Sequence, residues 1–253
     1  MDISFESTII VSILFLIVSF TYSSVGHGGA SGYLAVLSFF EIKNEIMSTT
    51  ALTINLAVSF MAFINYQKAG FFSLRLTLPF IIGSIPAAYI GGSLKIGNAA
   101  FSMLLSAVLI FASFRLLYND KSATVHVNSG SPNQLICIFI GIGIGFISGL
   151  LGIGGGIFLS PLLIIMKWSD TKQAAATSAC FIFLNSTSAL IARSTTQSIQ
   201  ADGVYMLIAP TIIGGFLGSY LGSKKFSSRI LRVILAIVLL SASIKLIINS
   251  LPS

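Results

Sequence analysis

Charge is the scarcest commodity in this sequence. Charged residues occupy 8% of its 253 positions, whereas soluble domains carry about a quarter because their surface must face water. So little charge excludes a water-soluble globular fold. Cysteine is nearly absent as well. Cys137 and Cys180 each lie inside an apolar stretch, where the thiol acts as a small buried hydrophobe, and their spacing suits neither a disulfide nor a metal. No cofactor and no metal site is expected. A formal net charge of +7 suits a nucleic-acid partner in sign, but no basic cluster interleaved with polar residues exists. Lys224, Lys225, Arg229 and Arg232 sit between apolar stretches and read instead as a cytoplasmic loop. A nucleic-acid partner is therefore not expected. A cleavable signal peptide is not expected either, since Asp2 and Glu6 stand where a basic start would be.

Apolar residues supply 55% of the chain, and the mean hydropathy is +0.97. Apolar runs fall near 7–25, 29–40, 44–66, 73–94 and 97–118, then near 134–151, 155–167, 173–193, 203–223 and 228–250. The lengths fit membrane helices, and the alternation of a barrel strand is missing. The bilayer is thus the expected surrounding. A polar stretch over 119–133 separates the two sets, giving a first repeat at 1–118 and a second at 134–253. The sets match in order. Gly26-His27-Gly28-Gly29 corresponds to Gly152-Ile153-Gly154-Gly155, and Pro79-Phe80-Ile81-Ile82-Gly83 to Pro210-Thr211-Ile212-Ile213-Gly214. Tyr89 and Gly91 then correspond to Tyr220 and Gly222.

The positive-inside rule weighs the topologies. If all ten segments cross and both termini lie outside, ten basic residues fall inside. Lys43, Lys95, Arg193 and Lys245 fall outside. If the two short segments dip in and return, the count drops to eight against six. The fold expected is an all-α integral membrane protein of eight to ten segments, in two inverted repeats of five. Helices of about 12 residues reach only about 18 Å, short of the roughly 30 Å hydrocarbon core. The short segments at 29–40 and 155–167 must then be broken half-helices that follow their glycine-rich motifs.

Those motifs are the strongest candidate site. Gly26, His27, Gly28, Gly29 and Ser31 precede one half-helix; Gly152, Gly154, Gly155 and Gly156 precede the other. Neither fits the dinucleotide spacing GxGxxG. Such runs break a helix and let backbone approach a ligand, and the following half-helix aims unpaired N–H groups into the gap. Two such ends can hold an anion without a buried cation. No Asp or Glu lies deep in a span, as a cation carrier would require. Thr49, Thr50, Asn55, Thr177, Ser178 and Asn185 are the hydroxyl and amide candidates to complete the site. His27 titrates in the physiological range when unperturbed and is the candidate for coupling proton to anion movement. A rival reading takes Gly29-Ala30-Ser31-Gly32 as the GxSG nucleophile of an intramembrane serine hydrolase, but no later span offers a base. A passive anion channel is the other alternative.

Gly149-Leu150-Leu151-Gly152-Ile153-Gly154-Gly155-Gly156, then Pro161, then Ala174-Ala175-Ala176-Thr177-Ser178 with Asn185 downstream, resemble the sulfite exporter TauE/SafE family of membrane transporters. The resemblance runs over both repeats. It implies a secondary transporter, not an enzyme, residing in the bacterial inner membrane as a multi-pass protein. It implies a small sulfur-containing anion such as sulfite, a sulfonate or sulfoacetate as substrate. A homodimer is one assembly open to such a chain. The first repeat departs from the pattern, with His27 intruding and Ala35 standing roughly where Pro161 does.

Overall fold

A computed structural model of the chain describes residues 5–40, 42–117, 132–196, 205–224 and 229–250. These form ten α-helices. The first set is α1 (Phe5–Ser23), α2 (Ala30–Leu37), α3 (Asn44–Lys68), α4 (Leu74–Ser93) and α5 (Asn98–Leu117). The second is α6 (Gln134–Leu151), α7 (Gly156–Ile165), α8 (Thr171–Thr196), α9 (Tyr205–Lys224) and α10 (Arg229–Ser250). The fold class is the expected one: all-helical, with two short helices behind the glycine motifs. Most of the polar connection at 119–133 lies outside the described residues, as do both chain ends.

Local signals set the helix starts. Ser73 Oγ accepts from the Leu76 N–H at 3.4 Å and opens α4, and Asn133 Oδ1 accepts from Leu135 N–H at 2.9 Å and opens α6. Asp170 Oδ1 accepts from the N–H groups of Lys172 and Gln173, both at 2.8 Å, at the head of α8. Each satisfies donors that the first helical turn leaves unpaired. By length and composition α3, α4, α5, α6, α8 and α9 can each cross a bilayer. Large apolar side chains such as Leu135, Phe139, Met206 and Ile213 are exposed on the outside of the bundle. Lipid, not water, is the solvent that suits that face. The protein is a multi-pass membrane protein.

The helices pair across the two sets. α4 lies along α6, and α9 lies along α1. Small residues make both contacts close. On α6, Gly141, Gly145 and Gly149 meet the backbone of Phe80, Ser84 and Ala88 on α4. On α9, Gly214, Gly218 and Gly222 meet the backbone of Leu16 and Phe20 on α1 and of Ser24 just past its end. A methyl at any of these positions would collide with a carbonyl. Membrane helices associate through such close backbone packing, since lipid removes the hydrophobic drive between them. α5 packs on α10, and the long helices α3 and α8 cross in the interior. There both are largely buried, and both carry the polar residues at issue.

Candidate substrate site

Two glycine-rich turns reach into the interior, one joining α1 to α2 and the other joining α6 to α7. Their backbones agree at two matched positions and differ at a third, since Gly154 has φ of +73° while its counterpart Gly28 is not left-handed. Gly26 and Gly152 both have φ of +78°, and Gly29 and Gly155, the residues capping α2 and α7, have φ of +97° and +81°. An L side chain is strained in that left-handed region, which is why glycine recurs at these positions. The N–H of His27 donates to the Tyr22 carbonyl at 2.9 Å, and the corresponding Ile153 N–H to the Ser148 carbonyl at 3.1 Å. Neither half-helix start has a side-chain cap. At eight and ten residues, α2 and α7 rise only about 12 and 15 Å.

Each turn packs on the long helix of the opposite set. Gly26 lies against the backbone of Ala175 on α8, and Gly152 lies against Ser48 on α3. Both turns then close on one side chain, Asn55. A Cβ on Gly28 would overlap Asn55 Oδ1, and one on Gly154 would lie 2.5 Å from Asn55 Nδ2. Asn55 Nδ2 donates to Ser186 Oγ on α8 at 2.9 Å. Asn55 Oδ1 is buried with no hydrogen-bond partner. So are Thr50 Oγ1, both amide atoms of Asn185, and His27 Nε2. Buried polar atoms normally find partners, and exceptions concentrate where function needs them.

The carbonyl ends of α1 and α6 also point toward this region, and would oppose an anion. Side chains occupy them. Tyr66 Oη donates to the Ser24 carbonyl at 2.8 Å. Ser48 Oγ donates to the Leu151 carbonyl at 3.1 Å, and Arg193 Nη2 donates to the carbonyls of Gly149 and Leu150 at 3.1 and 3.0 Å. With negative ends capped and the N–H ends of α2 and α7 uncapped by side chains, the local field favours negative charge.

The other predicted residues divide. Ser31 donates its hydroxyl to Tyr22 Oη at 3.0 Å, not to a histidine as a nucleophile would. Thr177 Oγ1 accepts from Thr77 Oγ1 at 3.3 Å, and Ser178 pairs with Ser160 at 3.1 Å. Those hydroxyls tie α8 to α4 and α7. Thr49 is buried beside Ser48, and its carbonyl accepts from Thr53 at 2.8 Å. Gly156 packs on Ile182 and Ser178 of α8. His27 Nδ1–H donates to the Val25 carbonyl at 3.0 Å, so the neutral ring leaves Nε2 as an acceptor, buried and without a hydrogen-bond partner.

Sequence reasoning missed Tyr66 and Arg193. Both stand toward the far ends of long helices and act on residues more than 40 positions away. No local pattern announces such a contact. Arg193 in particular reads as an interfacial cation at the end of an apolar run, yet it is 4% exposed.

A family model described as "Sulfite exporter TauE/SafE" matches residues 11–246. The "Probable membrane transporter protein y4hK" of Sinorhizobium fredii is 32% identical over 239 residues, covering 94% of this chain and 97% of the relative. The "Probable membrane transporter protein YunE" of Bacillus subtilis is 26% identical over 84% of this chain and 87% of its own. A protein of the same description from Methanocaldococcus jannaschii is 27% identical over 78% of this chain and 77% of its own. No solved structure matches.

Proposed function

The chain belongs to the sulfite exporter TauE/SafE family of membrane transporters, and from that premise we propose that it is a secondary transporter of a small sulfur-containing anion. Sulfite, a sulfonate or sulfoacetate is the substrate class. The binding site is the space between the two glycine turns, Gly26–Gly29 and Gly152–Gly156, with Asn55 and Asn185 as amide partners and Thr50 as a hydroxyl partner. One observation carries this reading: both turns close on Asn55 while the backbone donors at the starts of α2 and α7 have no side-chain cap. A compact oxyanion wants several N–H and amide donors at once, and converging helix N-termini supply them at little cost in buried charge.

The two sets of helices act as inverted repeats over 1–118 and 134–253, with the bacterial inner membrane as the setting. The matched φ values of Gly26 with Gly152 and of Gly29 with Gly155 support this, as does the exchange of partners between the pairs α4–α6 and α9–α1. In transporters of that plan the substrate lies at the repeat interface, and one part rocks against the other. His27 is the coupling group. Its Nε2, a bare acceptor when the ring is neutral, becomes a donor on protonation, so proton and anion strengthen each other's binding. Counterflow of labelled sulfite, sulfonates and carboxylates in proteoliposomes tests the reading. Exchange of a sulfur anion in preference to a carboxylate is the expected result. Flux of the anion alone with no dependence on a pH difference would mark a channel instead.

A further inference from the structure

A cavity of about 530 Å³ opens at the end of the bundle where α3 and α5 begin and where α2, α4 and α10 end. Lys43, Lys95, Arg193 and Lys245 all line it. The four cations come from four separate stretches of chain, and the topology above assigns these same four to one side of the membrane. The lining includes one carboxylate among the described residues, Glu45, paired with Lys95 at 3.7 Å. Both members of that pair are more than half exposed, so water screens the pair and it adds little. The cavity therefore carries three positive charges in excess, in a recess walled by apolar helices that concentrates their field.

Arg193 distinguishes this recess from a rim of solvated lysines. It is 4% exposed, no carboxylate among the described residues lies within salt-bridge distance of it, Glu45 of the same recess acting on it only through space, and its Nε is buried without a partner. Two backbone carbonyls hold Nη2, which leaves a full positive charge incompletely solvated inside the protein. A buried cation in that condition is costly unless a counter-charge arrives. Its carbonyl partners, Gly149 and Leu150, sit directly before the second glycine turn. Ser48 lines the same cavity and also contacts Gly152. The recess thus adjoins the backbone that forms the central site.

We propose that this recess is a second anion site, a vestibule where Arg193 and the three lysines hold a small oxyanion before it passes to the glycine turns. The proposal rests on the transporter reading for its direction of passage but on its own residues for binding. Anion capture there raises the local substrate concentration. It also links the vestibule to the centre mechanically, because an oxyanion on Arg193 competes with the carbonyls that the guanidinium caps.

Equilibrium binding of radiolabelled sulfite to the purified full-length protein, with Gly154→Val to block the central site, tests this directly. Gly154→Val should still bind sulfite, with an affinity that falls as salt rises. Adding Lys43→Gln, Lys95→Gln and Lys245→Gln to that variant should weaken binding by roughly tenfold or more. None of those three lysines is buried, so this arm does not depend on tolerance of a core change. Arg193→Gln should abolish the remaining binding, while Arg193→Lys keeps part of it. Loss of all sulfite binding in Gly154→Val, with transport intact in the unsubstituted protein, overturns the vestibule and leaves the central site standing. Binding in Gly154→Val that is indifferent to the lysines also overturns it. Conversely, Gly154→Val that transports normally removes the central reading while the vestibule survives.

Discussion

Gly28 and Gly154 grip opposite ends of one amide: the first abuts Asn55 Oδ1 and the second abuts Asn55 Nδ2. The two glycines occupy matching places in the two turns, yet both report to a residue of the first set. Asn55 therefore stands between the turns, held by Ser186 of α8. Any motion that separates the turns must release at least one of these contacts.

Replacing Gly154 with valine should abolish transport while the protein still inserts in the membrane. The backbone there has φ of +73°, and a Cβ would crowd Asn55, Ile182 and Ser186 together. A branched Cβ adds strain in that conformation. Uptake into proteoliposomes, normalised to inserted protein, measures the outcome. Transport near the unsubstituted rate would remove Gly154 from the site.

Asn185→Leu should separate stability from function. The amide is fully buried and neither of its polar atoms has a partner, a condition that costs about 1–3 kcal/mol. Leucine has similar bulk and no such requirement. The thermal midpoint in detergent should hold or rise, while transport falls at least roughly tenfold, as expected when about 1.4 kcal/mol of binding is lost. A variant that transports normally would show that the amide lies off the path.

His27→Gln preserves a side chain that can hydrogen-bond the Val25 carbonyl, but it cannot titrate. Exchange of substrate at equal concentrations should persist, and accumulation driven by a pH difference should disappear. Comparing counterflow with pH-driven uptake in one preparation decides this. Unchanged pH-driven accumulation would make His27 structural.

The orientation is open to labelling. Single cysteines placed within 119–133 should react with impermeant reagents from the cytoplasmic side alone, and a cysteine beside Lys95 from the opposite side. Periplasmic labelling of 119–133 would invert the arrangement, exchanging the membrane faces assigned to the basic residues.

Much of the fold could be read in the sequence because a bilayer restricts the choices to helices of set length. The apolar runs near 44–66 and 173–193 became helices at Asn44–Lys68 and Thr171–Thr196. They extend beyond the runs because polar residues can continue a helix once it leaves the apolar layer, and because Asp170 caps the second. The runs at 29–40 and 155–167 became shorter helices, Ala30–Leu37 and Gly156–Ile165, since left-handed glycines cap their starts. The glycine turns were legible as a pair because their pattern repeats at a fixed interval. The carbonyl caps from Tyr66 and Arg193 were not, for each depends on a crossing between distant helices. The gathering of four distant cations around one recess was hidden for the same reason. A topology places residues on a side of the membrane without saying which of them converge.

The pairing of α1 with α9 has a consequence for how the chain is made. About 180 residues separate the end of α1 from the start of α9, so α1 enters the membrane long before the helix whose glycines fit its backbone exists. At synthesis rates of roughly 5–20 residues per second that interval lasts on the order of 10–40 s. During it, the carbonyl ridge at Leu16, Phe20 and Ser24 must face lipid or a temporary companion. The second set therefore completes the first as it emerges, and neither set is a finished object when synthesised alone.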